Sequence, residues 1–344
     1  MAQDGDSVVA VTLHTVARKA GVSTATVSRV FEGRAPASDS ARAKVIAAAR
    51  ELGYSPRNRS QVAAAPRYGA HALVLSDLAG SYDSELIVGY ESAAAELGQS
   101  VTLVVARRRY DSSEALHALA KRVDGMVIGA NTVPDSVVHA LSRGLPVVLL
   151  ARPDVAGCDS VRAENLGNAT LLTSHLFQHG RSHLVFVGDP DISPDVSERY
   201  SGFRKAHVVA QMPLRRPPLR VPLVELAGVQ VAEDILRRRV KVDGLVCGND
   251  DLALAIMKRL QDNGLHLPDD LVLVGWDDVS AARYISPGLT TVRQPVRELG
   301  RLAATRLHDR IFGGQPVRRA LVLPTQIVLR SSCGCTALSP SPGS

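Results

Sequence analysis

The sequence predicts a small all-α head carrying a helix-turn-helix, followed by an α/β body of two lobes with parallel sheets. Three observations predict it. The first sixty residues show short helical patterns punctuated by serine and glycine. Beyond residue 70, continuous apolar runs alternate with amphipathic stretches, and that alternation comes in two series. The chain has 344 residues, 45% of them hydrophobic, enough for two or three domains that each bury a core.

Charge separates head from body. The net charge is +6, and residues 1–68 alone carry +5, leaving +1 for everything after them. A basic head on a near-neutral body suits a module that binds a polyanion. No apolar run approaches the ~20 residues that span a bilayer, so no membrane partner is expected. The opening MAQDGDSVV lacks the basic and apolar parts of an export signal. Four scattered cysteines, Cys158, Cys247, Cys333 and Cys335, do not make a disulfide framework, and a reducing cytoplasm fits them.

In the head, Thr12 can cap a helix from Leu13 to Ala20 with Leu13, Val16, Ala17 and Ala20 on one face. Gly21 supplies the left-handed turn that ends it. Val22 plugs the turn, and Ser23 caps a second helix over Thr24–Glu32, with Val27, Val30 and Phe31 inward and Thr24, Ala25, Ser28 and Arg29 outward. Ser38 caps a third helix, Asp39–Leu52, whose Val45, Ile46, Ala49 and Leu52 face the first two. Two short helices across a glycine turn make a helix-turn-helix, whose second helix enters the major groove.

The run VTLHTVARKAGVSTATVSRVFEGRAPASDSARAKVIAAARELGYSP resembles the headpiece of the LacI/GalR family of bacterial transcription regulators over some 45 consecutive residues. The resemblance implies that Thr24, Ala25 and Arg29 face base edges. Arg29 can donate two hydrogen bonds to guanine O6 and N7, worth about 1–3 kcal/mol of discrimination. Ser23, Thr26, Ser28 and Tyr54, with Arg57 just beyond, suit the phosphate backbone, which sets register without reading sequence. The headpiece is expected to span 1–56 and a hinge 57–69. Proteins similar to this one fold the hinge into a helix on DNA and wedge a leucine into the minor groove. Here Ala63 holds that position, behind Val62, so either Val62 replaces the wedge or the DNA kink is shallower.

Strand-like runs in the body are HALVLSD (71–77), SVTLVVA (100–106), GMVIGA (125–130) and PVVLLA (146–151). A second series comprises HLVFVG (183–188), GLVCG (244–248), LVLVGW (271–276) and ALVLPTQIVLR near the end. Helical patterns lie between them, at Glu85–Leu97, Ser113–Arg122, Asn165–His179 and Asp250–Asn263. Apolar strands separated by helices indicate parallel sheets covered on both faces, with ligands beyond the carboxyl ends of the strands.

This span resembles the periplasmic-binding-protein-like core of the same family, most clearly at HLFQHGRSHLVFVG, VCGNDDLALAIMKRL and LPTQIVLRSSCGC. The resemblance implies a core over 70–335, with an N-lobe of 70–161 and 291–322, a C-lobe of 162–290 and 323–335, and a disordered tail, 336–344. It implies a cytoplasmic, nucleoid-associated homodimer on a pseudo-palindromic double-stranded DNA operator, most often a repressor, governed by a sugar-like small-molecule effector in the cleft. Arg199 then points at the effector, Asp277 accepts from its hydroxyls, Tyr82 stacks on a ring, and Asp83, a departure from the usual aromatic, suits a ligand with donors. Asn249 reads equally well as an effector contact and as a helix N-cap.

Other chemistries lack support. His175, His179 and His183 recur every four residues without the acidic partner of HExxH, and Cys333-Gly-Cys335 has no second pair nearby in sequence, so no metal and no cofactor are expected. The pairs Asp250–Asp251 and Asp277–Asp278 are expected to cap helices rather than to act as catalytic carboxylates. GxGxxG, GxxxxGK[ST] and GxSxG are all absent, so no catalytic residues are assigned. The alternatives, an exported solute-binding protein or a sugar-modifying enzyme, share the body but do not account for residues 12–56.

Overall fold

The computed structural model describes residues 13–24, 26–27, 30, 39–51, 68–78, 80–106, 112–191, 193–237, 242–312 and 320–335. The chain divides into two units, Met1–Ala64 and Ala65–Ser344.

In the first unit, helix α1 (Leu13–Ala20) ends at Gly21, whose φ of +66° is the predicted left-handed turn. Helix α2 (Asp39–Glu51) packs on α1, and Lys19 meets Glu51 at 3.0 Å. Val16, Ala17, Ala20, Val27, Val45, Ala48 and Ala49 form the core, with Val22 and Val30 at its edge. One expectation needs correcting. Ile46 is turned outward, 40% exposed, and Ala48 is buried instead. Positions 45, 48 and 49 form one i, i+3, i+4 stripe on α2, and 46 lies beside it. Leu52 and Phe31 lie outside the described residues.

The second unit contains β1 (Ala70–Leu75), α3 (Ser81–Glu96), β2 (Ser100–Val105), α4 (Ser112–Leu119), β3 (Gly125–Gly129), α5 (Asp135–Ser142), β4 (Val147–Leu150) and β5 (Asp159–Ala163). There follow α6 (Leu166–Gln178), β6 (Leu184–Val187), α7 (Pro194–Val209), α8 (Glu225–Leu236), β7 (Gly244–Cys247), α9 (Asp250–Gln261), β8 (Val272–Val274) and α10 (Ala281–Tyr284). The last elements are β9 (Thr291–Arg293), α11 (Val296–Ile311), β10 (Leu321–Leu323) and β11 (Gln326–Val328), then a 3-10 turn, Ser331–Cys333. One sheet runs β10-β5-β4-β3-β1-β2 and another β6-β7-β8, both parallel throughout. The pair β9–β11 is antiparallel, an exception to the predicted pattern.

Alternation along the strands covers both faces, because successive side chains point to opposite sides. Leu73, Leu75, Val127, Val148 and Leu150 pack on α3 and α11, while Ala72, Val74, Met126, Ile128, Val147 and Leu149 pack with Leu116 of α4 and Val138 and Leu141 of α5. In the smaller sheet Val185, Val187, Leu245 and Leu273 meet α8 and α9. Leu184, Phe186, Val246 and Val272 meet α6 and α7. Helices α3 and α11 cross through glycines. A Cβ on Gly89 would sit 2.0 Å from the Arg297 carbonyl oxygen, and one on Gly300 would sit 2.3 Å from that of Leu86. No longer side chain fits that crossing.

Between the sheets the chain passes three times, after β5, after β9 and after β10. Asn168 Nδ2 donates to the Thr325 carbonyl at 2.9 Å, and Thr325 Oγ1 donates to the Glu164 carbonyl at 3.0 Å, so two of the three passages are bonded together. The run 320–330, read as one strand, divides at Pro324–Thr325. Its first half pairs with β5 and its second with β9.

Candidate functional site

The chain carries two surfaces where chemistry is concentrated. In the head, Ser23 caps the helical segment that includes Thr24, Thr26, Val27 and Val30. Its carbonyl accepts from Val27 N at 3.1 Å and its Oγ from Thr26 N at 3.2 Å. Ser23 Oγ also lies 2.9 Å from Thr26 Oγ1, and both Ser23 and Thr24 are exposed. Ala25, Ser28, Arg29, Tyr54, Arg57, Val62 and Ala63 lie outside the described residues.

In the body, a cleft of about 1130 Å³ opens at the carboxyl ends of the strands. It is slightly larger than the roughly 300–1,000 Å³ of ordinary ligand pockets. Tyr82, Asp83, Arg199, Asn249 and Asp277 all line it, together with Asp195, Asp251 and apolar Leu75, Leu86 and Leu223. Five residues chosen from four separate stretches of the sequence therefore share one cavity.

Arg199, on α7, is buried and held on several sides. Its Nε donates to Asn165 Oδ1 at 2.9 Å, its Nη1 to the Gly248 carbonyl at 2.7 Å, and its guanidinium lies 4.8 Å from the centre of the Trp276 ring. Asn165 Nδ2 in turn donates to Asp195 Oδ1 at 3.1 Å. Burial pushes the Asp195 carboxyl up to about 6 despite the nearby arginine.

Asp277 follows β8 with φ at +119°, a region that costs a non-glycine residue about 1–3 kcal/mol. Gln294 Nε2 donates to its Oδ1 at 2.5 Å. Burial pushes this carboxyl up to about 8, against the pull of Arg199. Asp277 therefore keeps its proton to higher pH than an ordinary carboxyl, and in that form it donates as well as accepts.

Asn249 is the N-cap of α9. Its Oδ1 accepts from Leu252 N at 3.1 Å and its Nδ2 donates to the Leu223 carbonyl at 3.2 Å. The capping role that sequence left level with effector contact is the one its amide performs, although the residue still borders the cleft. Tyr82, in the first turn of α3, has a buried hydroxyl with no hydrogen-bond partner, and desolvation drives its pKa upward. Asp83 Oδ2 accepts from Gly80 N at 3.4 Å, and desolvation raises its pKa as well. Arg152, after Ala151, turns away to pair with Asp135 and donate to the Val133 carbonyl.

The aspartate pairs behave differently from the expected helix caps. Asp250 accepts from Thr291 Oγ1 at 2.6 Å and Val279 N at 3.0 Å, stapling α9 to β9 and to the loop after β8. Asp278 binds Arg293 Nε at 2.7 Å and pairs with Arg330. Both carboxylates join segments distant in sequence, which no local pattern reveals. Sequence reasoning also missed Asp195, Asn165 and Trp276. Trp276 closes an apolar run and reads there as core.

Residues 12–57 match the description "Bacterial regulatory proteins, lacI family", and residues 173–333 match "Periplasmic binding protein-like domain". The chain is 29% identical over 327 residues to the HTH-type transcriptional repressor PurR of Vibrio parahaemolyticus, covering 93% of this chain and 98% of that one. It is similar to the structure of a transcriptional regulator CelR–cellobiose complex, with 28% identity and a TM-score of 0.71 over 94% of this chain and 100% of the other. A lac repressor dimer bound to operator and the anti-inducer ONPF gives 28% identity and a TM-score of 0.69 over 94% and 99%. Among the described residues no helix is long and apolar enough to cross a membrane.

Proposed function

The chain belongs to the LacI family of bacterial regulatory proteins, as a DNA-binding transcriptional regulator under metabolite control, and on that premise we propose how it works. Two copies hold a pseudo-palindromic operator whose half-sites lie about one helical turn, roughly 34–36 Å, apart, and act there as a repressor. Ser23, Thr26, Ser28, Tyr54 and Arg57 hold phosphates, while Thr24, Ala25 and Arg29 meet base edges. Val62, beside Ala63, is the minor-groove wedge. Strand β2 leaves Leu103 and Val105 exposed, and the adjacent α3 leaves Val88 exposed, which supports a dimer contact on that side. The protein acts in the cytoplasm on the nucleoid, and not as an enzyme.

The observation that carries the effector reading is the cleft itself. A fixed arginine, a buried Asp277 whose carboxyl burial pushes upward and the unpartnered Tyr82 hydroxyl surround apolar walls. That set suits a sugar-like molecule, whose hydroxyls both donate and accept and whose ring faces are apolar. Asp83 and Asn249 border the same ligand. Closure of the lobes on it then changes operator affinity, and reversing a 99:1 preference takes ~5.5 kcal/mol of differential binding.

Fluorescence anisotropy of the full chain on labelled duplexes, across a panel of sugars and nucleosides, tests this. One compound class should change operator affinity at least tenfold, and Arg29→Ala should relax preference at a single base position. Equal affinity for every duplex, with or without metabolites, would overturn the proposal.

A further inference from the structure

The two metal-like fragments that sequence set aside separately are adjacent in space. His175 and His179, one turn apart at the end of α6, face the turn that carries Cys333 and Cys335. Cys335 Sγ lies 3.4 Å from His175 Nε2 and 3.4 Å from His179 Nε2. The donor atoms of His175, Cys333 and Cys335 all lie within 4.8 Å of one another. The two imidazoles stand edge to face, with centroids 4.6 Å apart.

We propose that His175, His179, Cys333 and Cys335 form a zinc site that clips the carboxyl-terminal turn to the end of helix α6. Tetrahedral zinc with Zn–S of about 2.3 Å and Zn–N of about 2.0–2.1 Å places sulfur and nitrogen donors about 3.5 Å apart and two sulfurs about 3.8 Å apart. Both Cys335–histidine distances already match, and Cys333 lies within 4.8 Å of the His175 and Cys335 donors. Two thiolates and two imidazoles make a closed, soft donor set, which selects Zn²⁺ over Mg²⁺ or Ca²⁺ and leaves no open position for catalysis.

The backbone supports the arrangement. Gly334, between the cysteines, has φ at +95°, which turns two residues only two apart toward one point. A Cβ there would approach His179 Nδ1 at 3.6 Å. Cys333 is fully buried, with Sγ 3.1 Å from Thr290 Oγ1 and 3.2 Å from the Arg330 carbonyl, so its position is fixed before any ion arrives. The site lies apart from the residues assigned to the effector.

Cobalt serves as the optical probe, because a thiolate–cobalt bond gives a charge-transfer band and tetrahedral coordination gives intense visible absorption. The untagged full chain, reduced and stripped with chelator, is titrated with Co²⁺ alone and then with Zn²⁺. One cobalt per chain should produce both features, and zinc should abolish them. Cys335→Ser should lower affinity by more than about a hundredfold and His179→Gln by about ten- to a hundredfold, while both variants keep the metal-free melting temperature of the parent. Zinc should raise the melting temperature of the parent but not of Cys335→Ser. Absence of the charge-transfer band in the parent, or an unchanged cobalt affinity in Cys335→Ser, overturns the site.

Discussion

The two walls of the cleft are built on opposite plans. The wall from α7, α9 and the end of β8 carries charges that the protein has already bonded: Arg199 to Asn165 and Gly248, Asp195 to Asn165, Asp277 to Gln294. The facing wall, at the start of α3, offers Tyr82 with an unmatched hydroxyl and Asp83 with a single long bond to Gly80. A preorganised wall binds without first reordering its own groups, whereas a sparsely bonded one gains most when the ligand arrives. On the proposed reading, the first wall selects the ligand and the second gains its bonds only when the ligand binds.

Three measurements can break or sharpen that contrast. The largest effect is expected from Arg199→Ala, which strips Asp195 and Asp277 of their nearby cation. Effector affinity should fall between about ten- and a hundredfold, and the melting temperature should drop, because a buried charge network loses its centre. Calorimetry and a thermal melt read both, and an unchanged melt would mean that the wall is not a network.

Asp277→Asn comes next, through pH. A carboxyl raised from its ordinary value to about 8 adds stability that is fully present below about 4 and is lost as pH climbs through 8. Asp195 and Asp250, both near 6, contribute in the same sense at lower pH, while His71, lowered to about 4 by burial, acts oppositely up to its ordinary value near 6.5. Of these four groups, Asp277 alone has its folded value above 6.5, so its contribution is the one lost between about 6.5 and 8. The parent should lose stability across that interval in denaturant melts, and the asparagine variant should stay flat. A slope that persists in the variant removes Asp277 from the account.

Tyr82→Phe should change least. It deletes only the hydroxyl, so effector affinity should fall about threefold to tenfold, as befits one neutral hydrogen bond, with no loss of thermal stability. A destabilised variant would show that the hydroxyl has a partner within the fold.

What the sequence disclosed follows the same physical division. Strands such as β3 and β4 are legible because parallel strands covered on both faces are unbroken apolar runs. Strand β5, DSVRA, escaped because only Val161 and Ala163 of its five residues are apolar, and its ladder partners lie in β4 and β10. Helix α11 keeps a readable stripe at Val296, Leu299, Ala303, Ala304, Leu307 and Ile311, so period alone could have placed it. Site residues that cap a helix through a local partner, such as Ser23 and Asn249, could be assigned from spacing. Asp250 and Asp278 could not, since their partners lie 15 to 52 residues away. The histidine–cysteine cluster joins positions some 160 apart, beyond the reach of any spacing rule.

The last fifteen described residues close both lobes. Strand β10 completes the edge of the large sheet, β11 pairs with β9, and Ser332 Oγ bridges Thr290 N and the Leu273 carbonyl. During synthesis, neither lobe can finish until those residues leave the ribosome, so a premature stop near codon 320 leaves the large sheet without its β10 edge and β9 without its partner. Such a product exposes unsatisfied strand edges and is a substrate for proteolysis.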